Sequence, residues 1–453
     1  MYEDSNQILS LDNPRELVKP RIQVYSRTTC RREIKMRVRI LPLSCLIFLA
    51  TTVHAALPTC LTENDSAQFP SKTDHLNLYS SEQAFTVSLL DAINKATPSE
   101  NIFFSPYSTF HALLLAYFGS SQETEASLKN ALRINWAQNK MQVMHAYRHE
   151  KQLRARAAKN SSIEFNSADK IYVSKETELR DCMKNVFNEE LETKDFLQAP
   201  EESRNDINKW VEGVTRGHIK DILVPGTITQ LTKLVLANAA YFKGSWSNKF
   251  NPDNTRKDVF YSSPDKQTFV DMMYKKGTFN HGLNERLGAH VLELPYEGED
   301  PRMSMIIFLP PFDVNGVENV LSKLTPESLE QALNEGMPRE IEIKLPKFSF
   351  EKSVEFRPVL ERIGVGNIFE PSANFSGFSE KQNLNLDDAI HKAKIEVDEE
   401  GSTAAAATVL FSFRSSRPLE PAQFFCDHPF LFLIYDVQSR AILFAGIYRG
   451  PEK

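Results

Sequence analysis

The chain has 453 residues, a formal net charge of −6 and a composition that is 41% hydrophobic and 25% charged. It is long enough to bury a large core, and its acidic balance gives no support to a nucleic-acid-binding protein. Phe is abundant at 30 residues and Gly is scarce at 17, which excludes collagen-like and low-complexity chains. Composition indicates a globular protein and leaves its function open.

A leader sequence lies near the N-terminus. Several Arg and Lys residues precede the short apolar run 40–50, and Val53-His54-Ala55 then supplies a small-x-small cleavage motif. The apolar run is too short to span a bilayer comfortably. We predict a signal peptide over 36–55, an upstream extension over 1–35 and a secreted, extracellular protein with no membrane span. The alternative is a signal anchor that leaves a type II membrane protein.

Three Asn-x-Ser/Thr sequons fit this secretory route. They lie at Asn64, Asn160 and Asn374, and such sequons are N-glycosylation acceptors in exported proteins. We therefore predict a glycoprotein.

Cysteine usage gives little support to a disulfide framework. Removal of the leader leaves Cys60, Cys182 and Cys426, an odd number without a C-x-x-C pair. We therefore expect no disulfide scaffold and one free or intermolecular thiol. Cys426 stands in an apolar run and is expected to be a small buried hydrophobic residue.

Residues 56–78 are polar and turn-rich, and we expect them to form a flexible lead-in. No long linker or repeat follows, so we predict one domain over 79–453. Apolar residues recur with helical spacing in the first half of this domain, and strand patterns dominate the second half. The predicted helices are 81–95, 106–119 and 206–216; the predicted strands are 233–242, 303–309, 341–345 and a hairpin of 430–434 with 441–448. Helices early and strands late indicate an α+β protein.

Catalytic and nucleotide-binding motifs are lacking. His149-Glu150 has no second His four residues on, and Gly364-Val-Gly366 lacks the third Gly of a dinucleotide fingerprint. The sequence contains no G-x-S-x-G elbow and no P-loop. We therefore expect no enzyme, no metal site and no nucleic-acid partner.

Four segments, in the right order over about four-fifths of the chain, resemble the serpin family of serine-protease inhibitors. They are 101–108 (NIFFSPYS), 236–246 (LANAAYFKGSW), 391–401 (HKAKIEVDEEG) and 424–434 (FFCDHPFLFLI). The resemblance implies an α+β serpin fold with three β-sheets, eight or nine helices and an exposed reactive-centre loop. It also implies a polar cluster that controls opening of the main sheet (Ser105, Ser108, Asn238, His391) and a Trp, Trp246, where that sheet opens.

The segment 399–416, called here the bait loop, is suited to insertion into a sheet. Its first half is Gly and small residues, its second half is rich in β-formers, and its first Pro is the later Pro418. The resemblance implies a hinge in its first half: Glu399, Gly401, Ser402, Ala404, Ala405, Ala406 and Ala407. We predict a suicide-substrate inhibitor that forms a covalent complex with a trypsin-like protease and negatively regulates an extracellular proteolytic cascade. The alternative is a non-inhibitory carrier or chaperone.

The cleaved bond has two candidates. The family register counted from Glu399 places Ser415 before it and Ser416 after it, whereas the chemistry of a trypsin-like pocket favours Arg414 before Ser415. Phe413 leaves a chymotrypsin-like specificity as a minority interpretation. Both bonds stay open at this stage.

A basic stretch lies before the strand around Ile171. Its cations are Arg148, Lys151, Arg154, Arg156 and Lys159, and their spacing suits one helix face. One interpretation is a site for a heparin-like polyanion, a glycosaminoglycan that speeds inhibition; the other is an ordinary solvated face. We expect a monomer that most resembles secreted arthropod serpins.

Overall fold

The computed structural model describes residues 60–65, 70–71, 73–158, 163–298, 303–400 and 421–452. All of them belong to one compact unit, Ala56–Lys453. The predicted leader and residues 401–420 of the chain, which include nearly all of the bait loop, lie outside the described residues.

Nine α-helices occur in the described residues, which confirms the predicted number. They are α1 (Asp74–Ala96), α2 (Pro106–Gly119), α3 (Gln122–Ala131), α4 (Lys140–Ala158), α5 (Asp181–Val186), α6 (Pro200–Val214), α7 (Gly316–Lys323), α8 (Pro326–Glu335) and α9 (Phe356–Arg362). None of these helices is long and apolar enough to cross a membrane.

Fourteen strands accompany these helices in the described part of the chain. They are β1 (Ile102–Phe104), β2 (Glu164–Ser174), β3 (Leu191–Lys194), β4 (Leu234–Lys243), β5 (Arg256–Ser263), β6 (Lys266–Asn284), β7 (Ala289–Pro295), β8 (Met303–Leu309), β9 (Met337–Pro346), β10 (Phe348–Glu355), β11 (Asp388–Val397), β12 (Ala422–Phe425), β13 (Phe430–Asp436) and β14 (Ala441–Tyr448). The predicted strands and the C-terminal hairpin are all present.

The described strands form two hydrogen-bonded sheets, and the long strand β6 divides the larger, nine-stranded one into two parts, called here the second and third sheets. The main sheet has the order β10-β11-β4-β2-β3, the second has the order β5-β6-β9-β12, and the third runs from β6 through β7, β8, β13 and β14 to β1. This confirms the predicted α+β fold with three sheets. Its central pair matters most for function, because β11 and β4 are direct neighbours and run parallel.

Helix α2 lies beneath the main sheet and is buried along its whole length. It begins where Ser105 caps its first turn by accepting a hydrogen bond from the backbone N–H of Ser108, and Pro106 occupies the first helical position. Strand β4 is likewise buried at every residue but its last, Lys243, as expected for a central strand covered on both faces. These two elements place polar side chains inside the protein.

Parts of the lead-in predicted over 56–78 lie among the described residues. The carboxylate of Asp65 accepts hydrogen bonds from the backbone N–H groups of Cys60, Leu61 and Thr62, and α1 already begins at Asp74. Local hydrogen bonds and a covalent link thus hold the described residues 60–65, while the flexible lead-in over 56–78 stays a prediction.

That covalent link is a disulfide bond between Cys60 and Cys182, whose Cα atoms are 5.7 Å apart. The sequence analysis expected no disulfide scaffold and missed this bond, because an odd number of thiols does not prevent two of them from pairing. Cys426 is free and fully buried, as predicted.

Candidate functional site

A buried polar row crosses the middle of the main sheet. His391 on β11 faces Asn238 on β4, and Asn238 faces Asp169 on β2. His391 and Asn238 are almost completely shielded from solvent. Three strands are therefore joined by side chains as well as by their backbones.

The hydrogen bonds define the protonation state of His391. The backbone N–H of Ser105 donates to its Nε2 at 2.9 Å, so this nitrogen carries the lone pair. The Nδ1–H then donates to Oδ1 of Asn238. Burial lowers the pKa of His391 to about 3, and the hydrogen bond to Asn238 only partly opposes this effect. The imidazole is neutral and structural at physiological pH.

Asp169 completes the row and was missed by the sequence analysis. Ser108 Oγ donates to its Oδ1 at 2.6 Å, and the amide Nδ2 of Asn238 donates to the same oxygen and to Ser108 Oγ. Burial raises the pKa of Asp169 to about 6, although hydrogen bonds from Ser108, Ser167 and Asn238 lower it. The structure thus brings the four predicted cluster residues together and adds this carboxyl group.

Ser105 ties the cluster to the sheet on the other side of α2. Its hydroxyl donates to the carbonyl of Leu443 on β14 at 2.7 Å. The ring of His391 also stacks on Phe356 of α9, with centroids 5.5 Å apart. Separation of β4 from β11 at His391 therefore also disturbs the contacts with Ser105 at the start of α2 and with Phe356 on α9.

Trp246 lies at the end of the main sheet where the bait loop begins. Its indole Nε1 donates to the carbonyl of Asp398 at 2.8 Å, and its ring stacks on Tyr296 with centroids 4.7 Å apart. It is a buried aromatic residue. Through Asp398 it holds the chain at the base of the hinge.

Glu399 is the hinge residue that the structure describes. Its carboxylate accepts hydrogen bonds from Lys347 and Thr255, both at 2.7 Å, and its carbonyl accepts from the backbone N–H of Phe250. Burial alone would raise the pKa of Glu399, but the bonds from Lys347 and Thr255 outweigh it and hold the pKa below its usual value. The start of the bait loop is fastened at both its side chain and its backbone.

The remaining bait-loop predictions lie outside the described residues. They concern the hinge (Gly401, Ser402, Ala404, Ala405, Ala406, Ala407) and the cleaved bond (Arg414, Ser415, Ser416).

The basic residues of α4 do not form one exposed face. Arg154 turns inward, where its guanidinium pairs with Asp436 at 2.7 Å and lies over the ring of Tyr107; only 12% of its side chain is exposed. Lys151 is paired with Glu190. Arg148 and Arg156 are exposed, and Lys159 lies outside the described residues. Arg154 is therefore not part of an exposed basic face.

Two of the three sequons can be placed. Asn64 is exposed. Asn374 is half-buried, and its amide donates to Gln122 at 3.1 Å. Asn160 lies outside the described residues. Among the described residues, no group of three or more metal-ligating side chains is suitably arranged to hold a metal ion.

The site thus has three features: a parallel pair of strands at the centre of the main sheet, a row of buried polar side chains across these strands, and a hydrogen-bonded loop base at the end of the sheet. A family model described as Serpin (serine protease inhibitor) matches residues 80–451. The chain belongs to the serpin family.

Individual relatives agree with this assignment. Serine protease inhibitor 88Ea of Drosophila melanogaster is 46% identical over 429 residues, covering 92% of this chain and 99% of that protein. Leukocyte elastase inhibitor of Xenopus laevis is 34% identical, covering 83% of this chain and 100% of that protein. The crystal structure of Serpin48 from Tenebrio molitor is similar with a TM-score of 0.70 and 30% identity, covering 83% and 99% of the two chains. The protein is an inhibitor of serine proteases and not an enzyme.

Proposed function

We propose that this protein is a secreted inhibitor of trypsin-like serine proteases, which it traps by inserting its cleaved bait loop into the main sheet between β4 and β11. The observation that carries the proposal is the parallel pairing of these two strands. The bait loop follows β11 directly, so a segment that turns back into the sheet runs antiparallel to both neighbours.

The change in strand pairing from parallel to antiparallel favours insertion of the loop. A parallel ladder is slightly less stable per residue than an antiparallel one, and the inserted strand replaces one parallel ladder with two antiparallel ladders. Each net hydrogen bond contributes roughly 0.5–1.5 kcal/mol. About a dozen such bonds, with the apolar burial that accompanies them, give on the order of ten kcal/mol or more.

The side chains of the loop suit that position. Alternate residues of a strand point to opposite faces, so if Ser402 points inward, Ala404 and Ala406 do so as well. These residues are small and uncharged and leave no unpaired charge in the interior. Thr403 then points outward.

The buried row supplies the barrier that keeps the sheet closed before cleavage. Separation of β4 from β11 breaks the hydrogen bond between His391 and Asn238 and removes two buried polar groups from their partners. Trp246 and Glu399 hold the loop base at the end where the separation begins. The uncleaved protein is therefore held in a state that is less stable than the inserted one.

Trapping follows from the chemistry of the protease. Its catalytic serine attacks the carbonyl carbon of the scissile bond, the amine side of that bond leaves with a proton, and an ester joins loop and protease. The cut frees the loop to insert before water hydrolyses the ester. A strand of about 16 residues at ~3.3 Å each carries the protease roughly 50 Å and distorts its active site.

Arg414 is the proposed residue before the cleaved bond. A trypsin-like pocket carries an acidic group that pairs with a guanidinium, and the next residue, Ser415, has the backbone N–H that a Pro would lack. The family register places the cut one residue later, after Ser415. The proposed target is therefore a trypsin-like enzyme, and mapping of the cut distinguishes the two bonds.

Secretion is proposed from the leader pattern over 36–55, with additional support from the disulfide bond between Cys60 and Cys182. Such bonds are characteristic of proteins that fold in oxidising compartments. An extracellular monomer that restrains a proteolytic cascade is the proposed setting. A polyanion cofactor remains a proposal for the exposed cations Arg148 and Arg156 only.

The test is incubation of the purified protein with trypsin, followed by denaturing electrophoresis and mass spectrometry. We expect an SDS-resistant complex and a released C-terminal peptide that begins at Ser415; a peptide beginning at Ser416 would contradict Arg414. Ala404→Glu should be cleaved without forming the complex, because its charge would be buried in the inserted strand. Thr403→Glu is the matched control and should retain the complex. Equal complex formation by both variants would rule out insertion.

A further inference from the structure

Two histidines form a stacked pair at the corner where the second and third sheets meet. His281 on β6 and His290 on β7 have parallel rings with centroids 5.3 Å apart. Nε2 of His281 lies 3.2 Å from Nδ1 of His290, so one proton is shared in a single hydrogen bond. That bond requires a lone pair on one of the two facing nitrogens and therefore at least one neutral ring.

His281 is the inner member of the pair. Only 4% of its surface is exposed, and its Nδ1 is buried without a hydrogen-bond partner. A positive charge on this ring would have poor solvation and no hydrogen bond for its second N–H. His290 lies outside it and is exposed to solvent.

The charged neighbours do not favour protonation. Arg339 on β9 acts on both histidines and lowers their pKa values, as burial does. The carboxylate of Glu293 on β7 accepts hydrogen bonds from Asn280 and Ser304.

The end of α8 also packs against this corner. Its terminal carboxylate, Glu335, accepts hydrogen bonds from Asn284 and Gln331. The carboxylates of Glu293 and Glu335 are thus engaged by uncharged side chains.

The inner ring contacts the strand that follows the bait loop. The edge of Phe424 on β12 meets the ring of His281, with centroids 5.8 Å apart and planes at 85°. Strand β12 is short and, among the described strands, pairs only with β9, through the four residues Ala422–Phe425. Packing beneath the buried Phe424 is therefore one of the contacts that hold this edge strand, together with the contact of Lys344 with the ring of Phe425.

We propose that the pair His281–His290 is an acid-sensitive latch for β12: neutral rings hold the strand against β9, and protonation releases it together with the C-terminal attachment of the bait loop. The inference concerns regulation and rests on the proposed function only for its effect on inhibition. Strand release itself is a separate observable.

The direction of the pH effect follows from linkage. Burial, His290 and Arg339 lower the pKa of His281 from its ordinary 6.5 to about 4. The closed state thus binds its proton less readily than a released, solvated state, and closure is fully favoured above about pH 6.5 and weakens as the pH falls towards 4. With these two pKa values, the opening equilibrium of β12 rises roughly 30-fold between pH 7.4 and pH 5.0.

The test is amide hydrogen exchange of residues 422–426 at pH 7.4 and 5.0, corrected for intrinsic rates, with β13 as the internal standard. We expect the opening of β12 to increase more than tenfold in acid while β13 changes little. The increase in acid should disappear in His281→Leu and become smaller in His290→Gln. His75→Gln, on α1, should leave the increase unchanged.

Trypsin inhibition measured at pH 5.0 and at pH 7.4 is the second readout. It should fall in parallel with strand release in the wild-type protein and persist in His281→Leu. The latch would be overturned if the opening of β12 in the wild type were the same at pH 5.0 and pH 7.4. It would also be overturned if a folded His281→Leu or His290→Gln variant showed the same increase in acid as the wild type. Strand release without any trypsin inhibition at neutral pH would support the latch and contradict the proposed function instead.

Discussion

Asn238 accepts a hydrogen bond from the Nδ1–H of His391, and the two residues face each other in register across the parallel strands β4 and β11. The proposed insertion path runs between these strands, so this bond must break whenever the sheet opens. It is the contact that most directly connects stability of the uncleaved protein with its inhibitory mechanism.

Replacement of Asn238 by Ala should weaken the closed sheet. The variant leaves the His391 Nδ1–H and the carboxyl of Asp169 each without one buried partner, at a cost of about 1–3 kcal/mol. We expect a lower urea midpoint and faster uptake of a synthetic peptide copying residues 401–413. Asn248→Ala, in the exposed segment after Trp246, is the control. Peptide uptake at the wild-type rate would show that this contact does not limit sheet opening.

Stability should also depend on pH through His391. Its pKa is lowered to about 3 by burial, so the folded state favours the neutral ring more than the unfolded state does. This contribution is complete above about pH 6.5 and is lost as the pH falls towards 3. In chemical denaturation between pH 7.5 and 4.5, His391→Gln should lose less stability than the wild type. Parallel curves would contradict this assignment.

Asp169 should have the opposite dependence. Its pKa is raised to about 6 by burial, so the folded protein loses stability as the pH rises from about 4 through 6 and the buried carboxyl ionises. Asp169→Asn keeps an acceptor oxygen for Ser108 and removes this charge. We expect it to stabilise the protein at pH 8 by on the order of 2 kcal/mol and to have little effect at pH 4.

The exposed turn residue Asp265 provides the control for this prediction, because Asp265→Asn should not change the free energy of unfolding at pH 8 or at pH 4. A destabilised Asp169→Asn protein at pH 8 would show that the ionised carboxylate is required by its hydrogen-bond donors.

The Cys60–Cys182 bond should be an important source of stability. It closes a loop with a sequence separation of 122 residues, for which the chain-entropy model gives about 4–5 kcal/mol as an upper value. Cys182→Ser should lower the guanidinium midpoint, and a reductant should lower the midpoint of the wild type but not of the variant. Equal sensitivity of both proteins to the reductant would mean that the bond is not formed.

Sequence reasoning located the cluster but not all of its members. Ser105, Ser108, Asn238 and His391 lie in segments that carry the family pattern, so each was found without knowledge of the register. Asp169 lies in a strand without such a pattern. Only the pairing of β2 with β4 places it opposite Asn238, and a single sequence does not specify that register.

The same limit explains why the disulfide bond and the inward position of Arg154 were not predicted. The pairing of Cys60 with Cys182 depends on a tertiary contact that spacing along the chain does not predict. On α4, the buried positions Val143, Tyr147 and Glu150 recur at intervals of four and three residues and define the inner face. Arg154 continues that series, so helical spacing with the other cations did not make it a surface residue.

The position of Arg154 leads to a prediction that separates stability from polyanion binding. Its guanidinium pairs with the fully buried Asp436 and lies near Glu150. Arg154→Ala leaves these carboxylates without their cation and should destabilise the protein by about 3–5 kcal/mol. The double variant Arg148→Ala, Arg156→Ala removes two exposed charges and should change stability by less than about 0.5 kcal/mol.

The effect of heparin on the rate of trypsin inhibition should depend on the exposed pair alone. If a polyanion binds α4, any acceleration by heparin should be lost in the double variant, because the sulfate groups of heparin need accessible cations. The rates are compared at low salt because salt screens this attraction. Inhibition by a correctly folded Arg154→Ala protein should respond to heparin as the wild type does. If heparin still accelerates inhibition by the double variant, the polyanion binds elsewhere. If only Arg154→Ala abolishes the acceleration, heparin reaches Arg154 after the contact between Arg154 and Asp436 has opened.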